Sequence, residues 1–296
     1  FGCSFASLLL IGGAIYGIDK SRSSDTRPNS ILTSNKEVFA FESFSSLAFI
    51  SNQQNAKQRA KRLAAITPDV QNQISQEVSK IVPLLESTLL VDDGIQIIEG
   101  ENKKEGYEFC DKVTIHSEEK DEIYYLYYNK TETIEKDEDE KEIETFYEGE
   151  MVFDTLTYRF TMEGEIEEDD NEIEKESTFI LYTEEGKEII TSREIKNGEE
   201  EFSYKVKENG EEVFEVSIEI EEKKGKIETK VEYENDAKDI EFEYIFSKER
   251  DEQGEYYLLK GIQKEETNHS IRIRKNGSGK FEMTFYDANN EKPLNE

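Results

Sequence analysis

The sequence contains little proline, histidine or cysteine and no tryptophan. Four prolines among 296 residues argue against a disordered chain, although charged residues make up 36% of the composition. The 15 Tyr and 17 Phe recur at regular intervals, as expected of a chain that folds around buried aromatic side chains. The lack of tryptophan disfavours a platform of exposed rings that stacks on sugars.

Patterns of catalytic or metal-binding residues are also missing. The only histidines, His116 and His269, are far apart in the sequence and are both predicted to lie at the surface, so no Ser-His-Asp or Cys-His arrangement is recognisable. Cys3 belongs to an apolar leader, which disfavours a disulfide with Cys110. Zinc-binding spacings, EF-hand loops and phosphate-binding loops are absent from the sequence. We therefore predict a protein without catalytic activity, cofactor or specific metal site.

Negative charge is concentrated in the larger, C-terminal part of the chain. The formal net charge is −32, yet residues 1–91 contain nine Lys or Arg and seven Asp or Glu. The excess of acidic residues therefore lies in residues 92–296. Their surface repels the phosphates of nucleic acids and of anionic lipid headgroups. This distribution excludes nucleic acid as a partner and predicts an acidic body that stands away from a bilayer.

An apolar leader precedes this body. Residues 1–18 are uncharged, a length at the lower limit for a transmembrane helix, and residues 1–20 are predicted to be a signal anchor that tethers the protein to a membrane. The alternative is a signal peptide that is cleaved, which would leave a secreted protein. Residues 21–35 contain Ser, Asn and Pro and are predicted to be a flexible spacer. The bias toward Glu, Lys, Ile and Asn is typical of a low-GC bacterial genome.

Residues 36–91 are predicted to be helical. Thr67, Pro68 and Asp69 form a helix-start signal, with an N-cap residue followed by proline and an acid in the first turn. Apolar residues then recur every three or four positions and form one stripe, as in an amphipathic helix. The stripe consists of Val70, Ile74, Val78, Ile81, Leu85 and Leu89. Because such a stripe must be buried, we expect this helix to pack against the sheet that follows.

Residues 92–296 alternate between apolar and polar side chains with a period of two. Phe242 and Tyr244, for example, alternate with Glu241 and Glu243, the pattern of an antiparallel strand with one buried and one wet face. Asn-Gly pairs that begin at residues 197, 209 and 276 predict two-residue hairpin turns. We predict a mainly β domain, a large up-and-down meander of roughly a dozen strands. The sheet is expected to be strongly curved or a half-barrel, packed on the amphipathic helix.

Two groups of residues are candidate contact sites. The first is the apolar face between the curved sheet and its helix, where an acyl chain or similar ligand would bind. Its predicted members are Ile74, Ile81, Leu156, Phe160, Phe214, Ile218, Phe242 and Tyr244. The second lies in the tyrosine-rich segment 124–128, where Tyr124 and Tyr128 share one side of a strand and are candidates for exposed rings that contact a partner.

These patterns favour a non-catalytic function. The leading interpretation is a membrane-tethered, extracytoplasmic surface or interaction protein, whose partner the sequence does not identify. The alternative is a carrier that binds an apolar or lipid-like ligand between the curved sheet and its helices. An enzyme ranks third, because no catalytic constellation is recognisable.

Overall fold

A computed structural model of the chain describes two helical stretches and one β-sheet. The described residues are 38–47, 74–79, 81–82, 84–85, 95–101, 104–115, 122–136, 140–169, 173–183, 186–196, 199–223, 226–235, 240–261, 269–276 and 281–287. The predicted anchor at 1–20 and the predicted spacer at 21–35 lie outside them. Within these ranges, no helix is both long enough and apolar enough to cross a bilayer.

Fourteen strands form a single antiparallel sheet in which each strand pairs with the next along the chain. The strands are β1 (Ile95–Glu99), β2 (Phe109–Ile115), β3 (Glu122–Lys136), β4 (Glu140–Phe153), β5 (Leu156–Asp169), β6 (Ile173–Tyr182), β7 (Lys187–Lys196), β8 (Glu199–Glu208), β9 (Glu211–Lys223), β10 (Lys226–Asn235), β11 (Ile240–Asp251), β12 (Gly254–Gly261), β13 (His269–Lys275) and β14 (Phe281–Asp287). The prediction of a mainly β, up-and-down antiparallel meander is confirmed.

The alternation of side chains explains why these segments form strands with distinct faces. In β8, Phe202, Tyr204 and Val206 are buried, whereas the residues between them are partly exposed. We call the buried side of the sheet its inner face and the other side its outer face. The hairpin between β8 and β9 turns at Asn209 and Gly210, whose φ angles are 56° and 83°. These positive angles are those of the turn that an Asn-Gly pair predicts.

The predicted curvature is wrong, because the sheet is neither closed nor strongly curled. Within the described part of the chain, β1 pairs with β2 alone and β14 pairs with β13 alone, so the two ends of the sheet do not meet. Curvature is introduced by β-bulges and glycine kinks at defined positions. Among the described strands, the pairings record one register shift, between Val206 and Lys207. With one bulge among the strands that the structure describes, the sheet is not strongly curled.

The first helical stretch, α1 (38–47), packs against the inner face and is buried at every residue. Phe39 lies among four rings of the sheet, with centroid distances of 5.2 to 6.1 Å. Ser43 Oγ lies 2.9 Å from the hydroxyl of Tyr124, and Ser46 Oγ lies 2.8 Å from Thr191 Oγ1. Hydrogen bonds therefore satisfy polar groups that would otherwise be costly to bury beside the aromatic contacts.

The second helical stretch, α2, comprises residues 74–79, 81–82 and 84–85. Its part of the predicted apolar stripe is buried, namely Ile74, Val78, Ile81 and Leu85. The hydroxyl of Tyr233 in β10 donates a hydrogen bond to the Glu77 carboxylate. A helix packed against the sheet was predicted and is confirmed, and the core lies between the helices and the inner face.

Candidate functional site

Carboxylates are aligned across the outer face of the sheet. Glutamates on six adjacent strands, β4 to β9, lie directly opposite one another in register and are followed by Lys230 in β10. We call this set the glutamate row. It consists of Glu144, Glu165, Glu176, Glu194, Glu201 and Glu219. Like charges directly opposite each other destabilise a sheet, so the row weakens the fold that carries it.

The inner face of the sheet determines where these glutamates lie. Glu201 precedes Phe202 in β8, and Glu219 follows Ile218 in β9. Phe202 and Ile218 lie opposite each other and are fully buried. A one-residue slip would move the apolar set to solvent and the carboxylates into the core. The burial of apolar residues therefore fixes the register that aligns the carboxylates.

A cavity of about 310 Å³ opens on the outer face over β3 to β6, and we call it the acidic hollow. Its lining includes four carboxylates, three threonine hydroxyls and one phenyl ring. These belong to Glu144, Glu163, Glu165, Glu176, Thr131, Thr133, Thr178 and Phe146. Gly164 forms part of the lining, and a Cβ atom there would lie 2.8 Å from Thr145 Oγ1. The ring of Phe146 is 37% exposed and offers an apolar surface beside the acids.

A second cavity, of about 250 Å³, shares Glu165 and Glu176 with the acidic hollow. Beside it, carboxylate oxygens of Glu174, Glu176 and Glu194 all lie within 4.8 Å of one another. Lys196 Nζ contacts both carboxylate oxygens of Glu174, at 2.6 and 2.8 Å. The two cavities together form a continuous region that attracts cations, with carboxylate and hydroxyl oxygens as its ligands.

The acids in this region repel one another. The pKa of Glu165 is raised above its usual value, first by desolvation, then by a hydrogen bond with Glu167 and the charges of Glu142, Glu167 and Glu176. At the other end of the row, hydrogen bonds to Glu232 and Glu243 raise the pKa of Lys230. The region thus contains more negative charge than the lysines beside it neutralise.

A second polar group lies between α1 and the inner face, at residues that no sequence pattern indicated. Glu42 is fully buried, and desolvation raises its pKa from 4.5 to about 8. Ser177 donates a hydrogen bond of 2.5 Å to Glu42 Oε1, and Glu42 Oε2 has no hydrogen-bond partner in the described part of the chain. Nearby, Arg193 Nε donates to Glu200 Oε1 at 2.6 Å. The hydrogen bond between Ser177 and Glu42 links α1 to β6.

The residues predicted to form an apolar ligand face lie mostly in the packed core. Seven of them are buried, namely Ile74, Ile81, Phe160, Phe214, Ile218, Phe242 and Tyr244. Leu156, at the first position of β5, is 38% exposed instead. Phe160 stacks on Phe179 at 5.1 Å, and Phe242 stacks on Tyr233 at 4.5 Å. These rings pack against one another, as side chains of a core do.

The exposure predicted for Tyr124 and Tyr128 is not observed, because both rings point to the inner face. Tyr124 is fully buried and its hydroxyl contacts Ser43 of α1. The hydroxyl of Tyr128 donates a 2.7 Å hydrogen bond to Asp111 Oδ2. The alternate rings, Tyr125 and Tyr127, are partly exposed on the outer face and stack at 6.2 Å. The sequence identified the two pairs correctly but assigned them to the wrong faces.

The surface position predicted for His269 is also wrong. This residue is 2% exposed, and its Nε2 lies 2.7 Å from the hydroxyl of Tyr244. Desolvation lowers the pKa of His269 below its usual value. The side chain is therefore a neutral hydrogen-bonding member of the core. His116 lies outside the described residues.

Comparison with known proteins assigns no function to these sites. No family model matches. Searches of curated proteins and of solved structures also give no significant match. Function must therefore be inferred from the geometry of the acidic outer face.

Proposed function

We propose that the protein is a non-catalytic, membrane-tethered surface protein whose acidic outer face binds a cationic partner. The observation that carries this proposal is the glutamate row, in which six strands place carboxylates directly opposite one another. Such an alignment costs stability, whereas alternation with lysine would give the same solubility at lower cost. A binding function accounts for that cost.

The lining of the acidic hollow favours a lysine- or arginine-rich protein segment as the partner. Glu144, Glu163, Glu165 and Glu176 supply acceptors for ammonium or guanidinium groups. Phe146 supplies an apolar surface for the aliphatic part of the same side chains. Long-range attraction by the whole acidic face would accelerate the encounter of the two proteins.

The proposed location follows from the leader. Residues 1–20 would anchor the chain, and the acidic body would be held away from anionic headgroups on the extracytoplasmic side. If the leader is instead a signal peptide that is cleaved, the same acidic body would be secreted. Binding by the outer face is compatible with both, since it depends on residues of the sheet.

The carrier alternative has less support. A carrier needs space between the sheet and its helices, where Phe39 instead packs among four sheet rings. Both cavities described above are lined by carboxylates of the outer face. An acyl chain would gain little from such a lining, because burying carboxylates against hydrocarbon is unfavourable.

The proposal is tested by measuring the affinity of the full chain, in a mild detergent, for a fluorescent lysine-rich peptide. The triple variant Glu165→Gln, Glu176→Gln and Glu194→Gln removes three charges from the row. A matched control removes three exposed glutamates elsewhere, by Glu211→Gln, Glu241→Gln and Glu252→Gln. We expect the row variant to weaken binding by about tenfold and the control by much less. Equal losses in the two variants would refute a specific site on the row.

A further inference from the structure

Within the described part of the chain, the two edge strands lack lysine, proline and bulges, which commonly prevent edge-to-edge pairing. The edge strands β1 and β14 contain no lysine and no proline, and their pairings with β2 and β13 are regular. Natural edge strands are commonly protected by lysine, proline or a bulge. Ile98 in β1 is in addition 46% exposed. Both edges are therefore suited to accept another strand.

The strand at the C-terminal edge is held firmly in place. Arg272 of β13 lies over the ring of Tyr286 in β14, at 4.9 Å, and over the ring of Tyr256 in β12, at 4.4 Å. Arg274 lies 4.7 Å from the centroid of Tyr256. These cation–π contacts connect the last three strands on the outer face. An ordered edge loses little conformational entropy when it pairs.

Charge opposes association least at the two ends of the sheet. Strands β4 and β5 contain ten Asp or Glu and two Lys or Arg. Strands β12 to β14 contain three acidic and four basic residues, and β1 with β2 contains two acidic and one basic. The basic residues of the C-terminal end belong to β12 and β13, whereas the edge strands themselves contain only three charges, Glu99, Glu282 and Asp287. Repulsion between copies is therefore weaker at the two ends of the sheet than over β4 and β5.

The even number of strands allows the two edges to pair in the same antiparallel manner as the strands within the sheet. Because the meander has fourteen strands, each antiparallel to the next, β14 runs opposite to β1. The β1 strand of a translated copy would therefore lie antiparallel to β14. The inner faces of both copies would also lie on the same side. Ile97 at one edge and Met283 and Phe285 at the other would then continue one apolar face.

We propose that β14 of one copy pairs with β1 of a second copy, so that the protein assembles head to tail through its sheet edges. In the proposed register, which is one of those that keep the inner faces together, Ile97 lies opposite Met283 and Gln96 lies opposite Thr284. It also places Ile98 opposite Glu282 and Glu99 opposite Phe281, so that no like charges face each other. A heterologous contact of this kind leaves one edge free at each end and extends into a linear chain of copies.

The register is tested by placing charges at Gln96 and Thr284, which are exposed and partly exposed respectively. The double variant Gln96→Lys/Thr284→Lys sets two positive charges opposite each other at every contact. The double variant Gln96→Lys/Thr284→Glu sets opposite charges there instead. Sedimentation velocity of the full chain in detergent, over a concentration series, measures association, and thermal melts verify that both variants are folded.

The proposal predicts that the unaltered chain forms species larger than a dimer as concentration rises. The Lys/Lys variant should associate at least tenfold more weakly, and the Lys/Glu variant as strongly as the unaltered chain or more strongly. Each single variant, Gln96→Lys or Thr284→Lys, sets one lysine opposite a neutral residue at every contact and should still form the long species. A monomeric unaltered chain, or identical behaviour of the two double variants, would overturn the proposal. Peptide binding by the glutamate row is measured separately and is not affected by either outcome.

Discussion

A buried carboxyl group makes the stability of the protein depend on pH. Glu42 on α1 is enclosed between the helix and the sheet, and burial raises its pKa to about 8. Its carboxyl group is therefore protonated at neutral pH and accepts a hydrogen bond from Ser177 as a neutral group. Arg193 lies close enough to lower that pKa, but its effect is smaller than that of burial. Desolvation decides the charge state of Glu42.

The variant Glu42→Gln should alter how stability depends on pH. The pKa of Glu42 in the folded state lies above its unfolded value of 4.5. The stabilisation of the folded state by the protonated carboxyl group is therefore complete below pH 4.5. It is lost as pH rises toward 8. Glutamine cannot ionise, so the variant should gain stability relative to the unaltered chain between pH 5 and pH 8, by about 3 kcal/mol. Thermal or denaturant unfolding at both pH values measures the difference.

The matched control for this measurement is Glu148→Gln, which changes an exposed glutamate on β4. Its relative stability should not change over the same pH interval by more than a few tenths of a kcal/mol. If Glu42→Gln follows the control, the buried carboxyl group is ionised in the folded protein. Burial would then be compensated by Arg193 more completely than inferred.

At the scale of elements, the helices cover part of the inner face and supply 12 of the 41 buried residues that form the core in the described part of the chain. α1 contributes Phe39, Phe41, Phe44 and Leu47, and all four are buried. Phe41 packs on Phe202 of β8, at a centroid distance of 5.0 Å. An open sheet cannot bury its apolar face by closing on itself, so it depends on these helices.

Ile81→Asp should therefore unfold the sheet as well as α2. Ile81 is fully buried, and burying an unpaired carboxylate costs several kcal/mol against a total stability of about 5–15 kcal/mol. The control Gln76→Asp introduces the same charge at an exposed position of the same helix and should change stability by about 0.5 kcal/mol or less. Circular dichroism melts compare the two variants. A cooperative melt of residues 92–296 alone would contradict this dependence on the helices.

The sequence was sufficient to predict faces within a strand but not the register between strands. Alternation assigned Phe214 and Ile218 to the inner face, where both are buried. Counting outward from the turn at Asn209 and Gly210, however, pairs Glu201 with Ile218. The register shift between Val206 and Lys207 restores Glu201 to its partner Glu219. One inserted residue in a strand thus creates the alignment of the glutamate row.

Curvature and tyrosine orientation escaped prediction for different reasons. Curvature depends on bulges and glycine kinks that alternation does not reveal, whereas tyrosine orientation depends on contacts between segments that are distant in sequence. Tyr124 faces inward because Ser43, 81 residues earlier in the chain, accepts or donates a hydrogen bond there. The alternation within β3 is the same whichever face is buried, so it cannot assign Tyr124 to either side.

At the scale of the whole molecule, stability should increase with ionic strength. The net charge is −32, and repulsion across the outer face is screened by salt. We expect the melting temperature at neutral pH to rise by a few degrees between low and physiological salt, and further with Ca²⁺ at constant ionic strength. Calorimetry measures the shift. The melting temperature of the variant with three row glutamates replaced by glutamine should rise less with salt. A melting temperature of the unaltered chain that does not change with salt would mean that lysines already neutralise the outer face.

The leader should determine where the whole molecule resides. The full chain is expected to fractionate with membranes, because residues 1–18 are uncharged. Deleting residues 1–20 should release a folded protein into the soluble fraction, with the same melting temperature as the full chain. Recovery of the intact chain in the soluble fraction, with its leader still attached, would contradict the anchor.

The regular spacing of the glutamate row has a consequence for the ions around it. Neighbouring strands lie about 4.8 Å apart, whereas two unit charges in water interact by the thermal energy at about 7 Å. A line of charges closer together than that distance retains a layer of condensed counterions, as a polyelectrolyte does. The row of six glutamates is thus accompanied by loosely held cations that occupy no fixed positions. A lysine-rich partner would displace them, and the entropy of their release would favour binding.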